Sequence, residues 1–141
     1  MAENLLEGNE QIKKYLTAGN ATFTISNEKT GNRFTFKVSA HKEQPLFFVN
    51  VLTGSNNETD YTNIGIINEQ FNFFRSKRSP ISASSITFKA FNWLWSCITK
   101  NIDLPESVHC RHEGRCGRCG RKLTTPDSID AGFGPECIKF V

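Results

Sequence analysis

The sequence lacks the two features that would place it in or across a membrane. It has no apolar run near the roughly 18 to 20 residues that a bilayer span needs. Glu3, Glu7 and Glu10 all precede the first basic residue, Lys13, so the N-terminus has no positively charged start of a signal peptide. These absences predict a folded cytoplasmic protein with no membrane partner.

Recognisable catalytic motifs are also missing. The chain contains no G-x-x-x-x-G-K, no G-x-S-x-G and no constellation of carboxylates. His41-Lys-Glu43 matches the His-x-Glu of zinc deaminases, but their second element, Pro-Cys-x-x-Cys, is absent because Arg115 precedes Cys116. We therefore expect no enzyme.

The residues that are present predict an α+β fold. With 141 residues, of which 12 are Phe, the chain can form one domain of about 100 residues and a small appendage. Alternating apolar and polar residues predict an antiparallel sheet of about five strands in meander order, over Ala21–Ser26, Arg33–Ala40, Leu46–Leu52, Tyr61–Ile67 and Phe71–Arg75.

Two helices are expected beside these strands. Apolar residues at helical spacing predict a short helix over Glu3–Thr17. A second helix, capped by Ser84 or Ser85 and running to about Ile98, should lie across the sheet.

A change in composition predicts two domains. Asn101–Glu106 contains Pro105, which discourages helix, and the residues after it are rich in Cys, His, Arg and Gly. We place the boundary near Leu104, with an α+β domain over 1–104 and a small zinc-ribbon or zinc-knuckle module over 105–141.

The cysteines indicate a metal site in that module. Cys116-Gly-Arg-Cys119 can hold one zinc ion from a tight turn, and Cys137 supplies a third thiolate. Glycines and a third Cys nearby make a redox pair of Cys116 and Cys119 the weaker interpretation. Cys97, in an apolar helical stretch, is expected to be a buried small hydrophobe.

The fourth zinc ligand is less clearly marked. His112 is preferred because it stands four residues before Cys116, and Cys110 and His109 are the alternatives. Four protein ligands in a module with few apolar residues predict a structural zinc that supplies the folding free energy.

Charge is unevenly distributed, although the net charge is only +3. Basic residues beside the zinc motif and in a loop after the fifth strand predict binding to DNA or RNA, single-stranded or structured. The residues expected to contact nucleic acid are Arg75, Lys77, Arg78, Arg115, Arg118, Arg121 and Lys122.

Two other interpretations of the charges remain open. The stretch from Glu43 to Glu69 contains Glu58 and Asp60 as well and has no Lys or Arg, so it suits a basic protein partner such as a host enzyme or defence complex. The basic clusters would also fit an ordinary solvated surface.

The C-terminal motif resembles a known group of proteins. The block His112-Glu-Gly-Arg-Cys116-Gly-Arg-Cys119-Gly-Arg-Lys-Leu-Thr124, followed by Gly132-Phe-Gly-Pro-Glu-Cys137, is similar to the end of a family of uncharacterised phage and mobile-element proteins. Upstream, Gly31–Lys37 and Lys89–Trp95 resemble the N-terminal part of some members. The resemblance implies a phage or plasmid origin, a bacterial cytoplasmic setting and zinc on the three cysteines and His112, but no biochemical activity.

Overall fold

The computed structural model describes residues 4–56 and 59–141, so Glu3 and Glu58 lie outside the described residues. Within those ranges the strands are β1 Asn20–Asn27, β2 Arg33–Ala40, β3 Phe47–Leu52, β4 Tyr61–Ile67, β5 Phe73–Arg75 and β6 Val108–His112. The helices are α1 Gly8–Leu16, α2 Ile86–Thr99, α3 Pro126–Ala131 and a 3-10 helix over Cys137–Phe140.

All six strands belong to one antiparallel sheet with the order β5-β4-β3-β2-β1-β6. The α+β class and the meander of the first five strands are as predicted, whereas the count of about five was one too low. The added strand, β6, pairs with β1, and it comes from the segment assigned above to the zinc module. Val108, Cys110 and His112 are buried while the residues between them are half-buried, which is the alternation of a strand.

The start of the chain covers the outer edge of β6. Leu6 N–H donates to Cys110 O at 2.8 Å, and His112 N–H donates to Asn4 O at 2.9 Å. Because this backbone is extended against β6, helix α1 begins at Gly8 and not near Glu3 as expected. Cys110 O and His112 N–H on the outer edge of this strand are thereby paired within the chain.

Helices α1 and α2 pack on one face of the sheet. Phe91 of α2 lies against Phe23 and Phe36, with ring centroids 6.3 and 5.4 Å apart. Of the two predicted caps, Ser84 and Ser85, it is Ser85 that caps α2, its side chain accepting a hydrogen bond from Phe88 N–H. The opposite face, which we call the outer face, carries the polar side chains of the strands.

The C-terminal segment shares the main core. Cys116, Leu123, Phe133 and Cys137 belong to the same buried apolar cluster as Phe23. The division into 1–104 and 105–141 stays a prediction, for which unfolding with and without metal is the test. In the described part of the chain, no helix combines the length and apolar character needed to cross a membrane.

Candidate metal centre

Three cysteine sulfurs meet at one point near the β6 edge of the sheet. The Sγ atoms of Cys116, Cys119 and Cys137 all lie within 4.8 Å of one another, close enough to hold one metal ion. Cys116 and Cys137 are buried, whereas Cys119 is exposed. The three sequence-predicted thiol ligands are therefore brought together.

A tight turn that follows β6 presents the first two thiols. Cys116 N–H donates to Arg121 O, and Gly120 N–H donates to Cys116 O, which closes a short loop around Cys119. Gly120 has φ of +77°, a conformation that favours glycine. At Gly117 an added Cβ would lie 2.7 Å from the Tyr15 ring, so a side chain there would push the turn off the core.

Helix α3 and the 3-10 helix bring the third thiol back to this turn. Thr125 caps α3 by accepting from Ser128 N–H, and Gly132 ends it in the left-handed conformation. Gly132 O then accepts a hydrogen bond from Gly117 N–H at 3.0 Å, which ties the two segments together. Cys137 opens the 3-10 helix and is buried beside the turn.

The structure does not bring His112, the predicted fourth ligand, to the three thiols. Its Nδ1 accepts from Gly114 N–H at 3.0 Å, and its Nε2 is hydrogen-bonded to Ile129 O. The ring is fully buried and stacks on Tyr15 at 5.5 Å. Burial lowers the pKa of His112, and a neutral ring with a proton on Nε2 satisfies both hydrogen bonds.

The two alternative fourth ligands, Cys110 and His109, also lie away from the three thiols. Cys110 points from β6 into the core opposite Ile25, and burial raises the pKa of its thiol. His109 lies on the outer face, where its Nε2 is 2.9 Å from Glu28 Oε1. Over the described residues, the group of close metal-binding side chains consists of the three cysteines.

The surroundings of Cys116 favour the ionised form of its thiol. Burial alone would raise the pKa of Cys116, but hydrogen bonds from the backbone of Cys119, Gly134 and Arg118 outweigh it and lower the pKa to about 7. Arg118 Nη1 lies 3.5 Å from Cys137 Sγ, which lowers the pKa of Cys137, although burial and the neighbouring thiols raise it overall. Three crowded thiolates repel one another, and a bound cation removes that repulsion.

The basic residues predicted to bind nucleic acid fall at opposite edges of the sheet. Arg75 ends β5 and donates to Ile81 O and Ser79 O, which fixes the following loop, and Lys77 and Arg78 are exposed in that loop. The remaining four lie in the turn over 115–122 that carries Cys116 and Cys119, the candidate metal-binding turn at the β6 edge, and they are Arg115, Arg118, Arg121 and Lys122. About 24 Å separates edge strands in a sheet of this width.

Basic residues that were not predicted from the sequence to contact nucleic acid lie on the outer face between these edges. Lys37 of β2 faces Thr22 of β1, and Lys37 Nζ is 4.9 Å from the Tyr61 ring. Together with Arg115 and Glu113 they line a shallow cavity of about 450 Å³. Two arginines lie on the strands that flank β1, since Ser26 pairs with Arg33 and Thr24 with Arg111.

A signal for these outer-face residues exists in the sequence. In β2 the residues Arg33, Thr35, Lys37 and Ser39 alternate with Phe34, Phe36 and Val38. This alternation predicts the core-facing residues of β2, and the polar residues between them form a surface of their own on the other face.

One comparison with known proteins adds to this description. A model of a family of unknown function, DUF6011, matches residues 107–139, which contain all three clustered cysteines. This match fits the expected resemblance to an uncharacterised family and covers only the segment that contains the cysteine cluster. No curated protein and no solved structure matches the chain.

Proposed function

We propose that the protein holds a zinc ion at Cys116, Cys119 and Cys137 and binds single-stranded nucleic acid across the outer face of its sheet. The observation that carries the second part is the concentration of basic side chains around β1 on that face. They come from three different segments and are Arg33, Lys37, Arg111 and Arg115.

The charge of this surface suits a phosphate backbone. A second outer-face cavity beside β1 is lined by Arg33 and Arg111, and Glu113 is the acidic residue that lines both cavities. Most contacts of proteins with nucleic acid go to phosphates and sugars, and arginine and lysine supply many of them. Four cations against one carboxylate favour a polyanion over a neutral partner.

Aromatic side chains on the same face supply a second element of single-strand recognition. Tyr61 lies in the cavity beside Lys37, and Phe48 of β3 is 38% exposed on the neighbouring strand. Unpaired bases stack on aromatic rings, whereas the bases of a duplex are already stacked. A preference for single strands is therefore part of the proposal.

The metal would act structurally in this proposal. Arg115 directly precedes Cys116 and lines the outer-face cavity, so an ion that fixes the turn also fixes one side of the nucleic-acid surface. Zinc suits three thiolates by its preference for soft ligands. We further propose an accessory role without catalysis, in a phage or mobile element and in the bacterial cytoplasm, on the strength of the C-terminal motif.

A second candidate function rests on a different surface. An apolar groove of about 270 Å³ lies between the tip of the β1–β2 hairpin and α2. Ile86 and Trp93 on its rim are 55% and 40% exposed, so together they leave an apolar patch at the surface and not a single scattered side chain. This groove favours a protein partner, such as a host enzyme or defence complex.

Fluorescence anisotropy of the zinc-loaded protein with labelled single- and double-stranded DNA and RNA tests the main proposal. We expect the logarithm of the affinity to fall linearly with the logarithm of the salt concentration, with a slope that corresponds to several neutralised phosphates. The double variant Arg33→Glu with Lys37→Glu should reduce this slope by about 2. An absence of binding at low salt would reject the nucleic-acid proposal and leave the groove as the surface to pursue.

A further inference from the structure

The three-thiol centre differs from an ordinary structural zinc site in its number of protein ligands. Zinc at structural sites is four-coordinate with four protein ligands, whereas sites with three protein ligands keep one position for water or another small molecule. The described residues bring together three thiols and no fourth metal-binding side chain. Resting on the zinc site proposed above, we infer that the fourth coordination position takes an exchangeable ligand from outside the chain: water in the resting protein, and a small thiol when one is present.

The nearest histidine is held away from this position by its own hydrogen bonds. Ligation through Nδ1 would cost the bond from Gly114 N–H, and ligation through Nε2 would cost the bond to Ile129 O. Both partners are backbone groups beside a fully buried ring, so each would lose its hydrogen bond on rotation of the ring. Coordination of the metal by His112 would therefore break a hydrogen bond that the buried ring makes to the backbone.

Access to the metal is available from one side. Cys116 and Cys137 are buried against the core, while Cys119 is exposed. A small molecule reaches the sulfurs from the Cys119 side without displacing the core.

The charge next to the sulfurs determines which class of ligand fits. Zinc with three thiolates has a net charge of −1, which alone would disfavour a further anion. Arg118 lies against the site, with Nη1 3.5 Å from Cys137 Sγ and its guanidinium 4.5 Å from the Phe140 ring centroid. This cation offsets the negative charge, and a sulfur-rich metal centre prefers another soft donor, so a small thiol bound as thiolate is the favoured ligand.

Cobalt(II) in place of zinc provides a visible reporter. We expect one cobalt per chain with a tetrahedral absorption spectrum, and a saturable rise of the sulfur-to-cobalt band on titration with 2-mercaptoethanol while the cobalt stays bound. X-ray absorption of the zinc protein should show three sulfurs and one light atom without the outer-shell scattering of an imidazole, and four sulfurs after the thiol is added.

A matched pair of variants tests the role of the neighbouring charge. Arg118→Gln should weaken the affinity for 2-mercaptoethanol about fivefold, since it removes the cation at the sulfurs. Arg121→Gln, a change of the same charge on an exposed residue of the same turn, should leave that affinity unchanged.

Three results would overturn the inference while leaving the zinc site in place. They are imidazole scattering in the wild-type protein, a cobalt spectrum that does not respond to thiol, and a metal-dependent dimer in which a second copy supplies the ligand. Failure to bind cobalt or zinc at all would instead reject the proposed metal centre, and the inference with it.

Discussion

The two edges of the sheet carry similar basic sequences and use them differently. At the β5 edge the Arg75 guanidinium donates to two backbone carbonyls of the loop before α2. At the β6 edge Arg118 faces a cysteine sulfur, and Arg115 lines the outer-face cavity. The same residue type therefore fixes a loop at one edge and surrounds a candidate site at the other.

The loops at these edges are also stabilised by different means. Ser79 in the β5 loop donates through its hydroxyl to Asn63 O, so ordinary hydrogen bonds hold that loop to β4. The β6 loops converge instead on three thiols that an ion can join. The β6 edge should consequently depend on metal and the β5 edge should not.

The largest effect is expected from removal of a thiol at the β6 edge. Cys116→Ser should abolish tight zinc binding and lower the free energy of unfolding by about 4 kcal/mol when free zinc exceeds the dissociation constant a thousandfold. Cys116 lies in the shared core, so we expect one cooperative transition at lower denaturant concentration. Chemical denaturation with and without a chelator measures both.

Cys97→Ala is the matched control for that variant. Cys97 is also buried but lies in α2, outside the thiol cluster. The Cys97→Ala variant should keep one zinc per chain and the same response to the chelator.

The same denaturation experiment tests the two-domain division. If chelation unfolds 105–141 alone, the division predicted from the sequence is correct and the shared core contributes little stability.

Charge reversal compares the two edges directly as nucleic-acid surfaces. Arg121→Glu with Lys122→Glu should weaken single-strand binding about tenfold, because these residues adjoin Arg115. The slope of log affinity against log salt concentration should fall by about 1 to 2. Lys77→Glu with Arg78→Glu, at the other edge, should change the affinity less than about twofold. Anisotropy at several salt concentrations gives both values, and equal losses would show that the edges act alike.

Tyr15→Phe should weaken the attachment of the candidate metal-binding turn to α1. The Tyr15 hydroxyl donates to Arg115 O at 2.7 Å and also lies 3.2 Å from Thr22 O. Thr22 O keeps its hydrogen bond from Glu113 N–H, so loss of the hydroxyl removes the bond to Arg115 O at a cost of about 1 kcal/mol, while the ring stays packed on Phe133. Thermal unfolding of the zinc-loaded variant measures this, and an unchanged melting temperature would contradict the role of the bond.

The smallest effect is expected at the β5 edge. Arg75→Lys removes the forked donor that reaches Ser79 O and Ile81 O together, and the side chain is exposed, so the cost should be about 1 kcal/mol or less. Nucleic-acid binding should not change, because the positive charge is retained. Lys77→Arg, in the same loop, is the control and should leave the unfolding free energy as it is.

Local patterns in the sequence predicted most of the sheet. Alternation of Phe34, Phe36 and Val38 fixed which face of β2 is buried, and Ser85 marked the start of α2. The three cysteines were recognised from spacing because two of them share one turn. In each case the signal lies within a few residues of the feature.

The pairing of distant segments was not readable in the same way. From the sequence alone, His112 is the preferred fourth ligand because it stands four residues before Cys116, with Cys110 and His109 as alternatives just upstream. Once they belong to β6, successive side chains point to opposite faces, so His109 lies outside while Cys110 and His112 enter the core. Ligand spacing in a sequence assumes a flexible loop, and a strand removes that freedom.

The position of β6 beside β1 also determines when the protein can finish folding. His109 of β6 is hydrogen-bonded to Glu28, the residue directly after β1, which stands 81 residues earlier in the sequence. On the ribosome β1 must wait for most of the chain to be made before this neighbour exists, with its edge open to other strands in the meantime. We therefore expect the pairing of β6 with β1 to be the slow step of folding, because the other strand pairs join neighbours in the sequence.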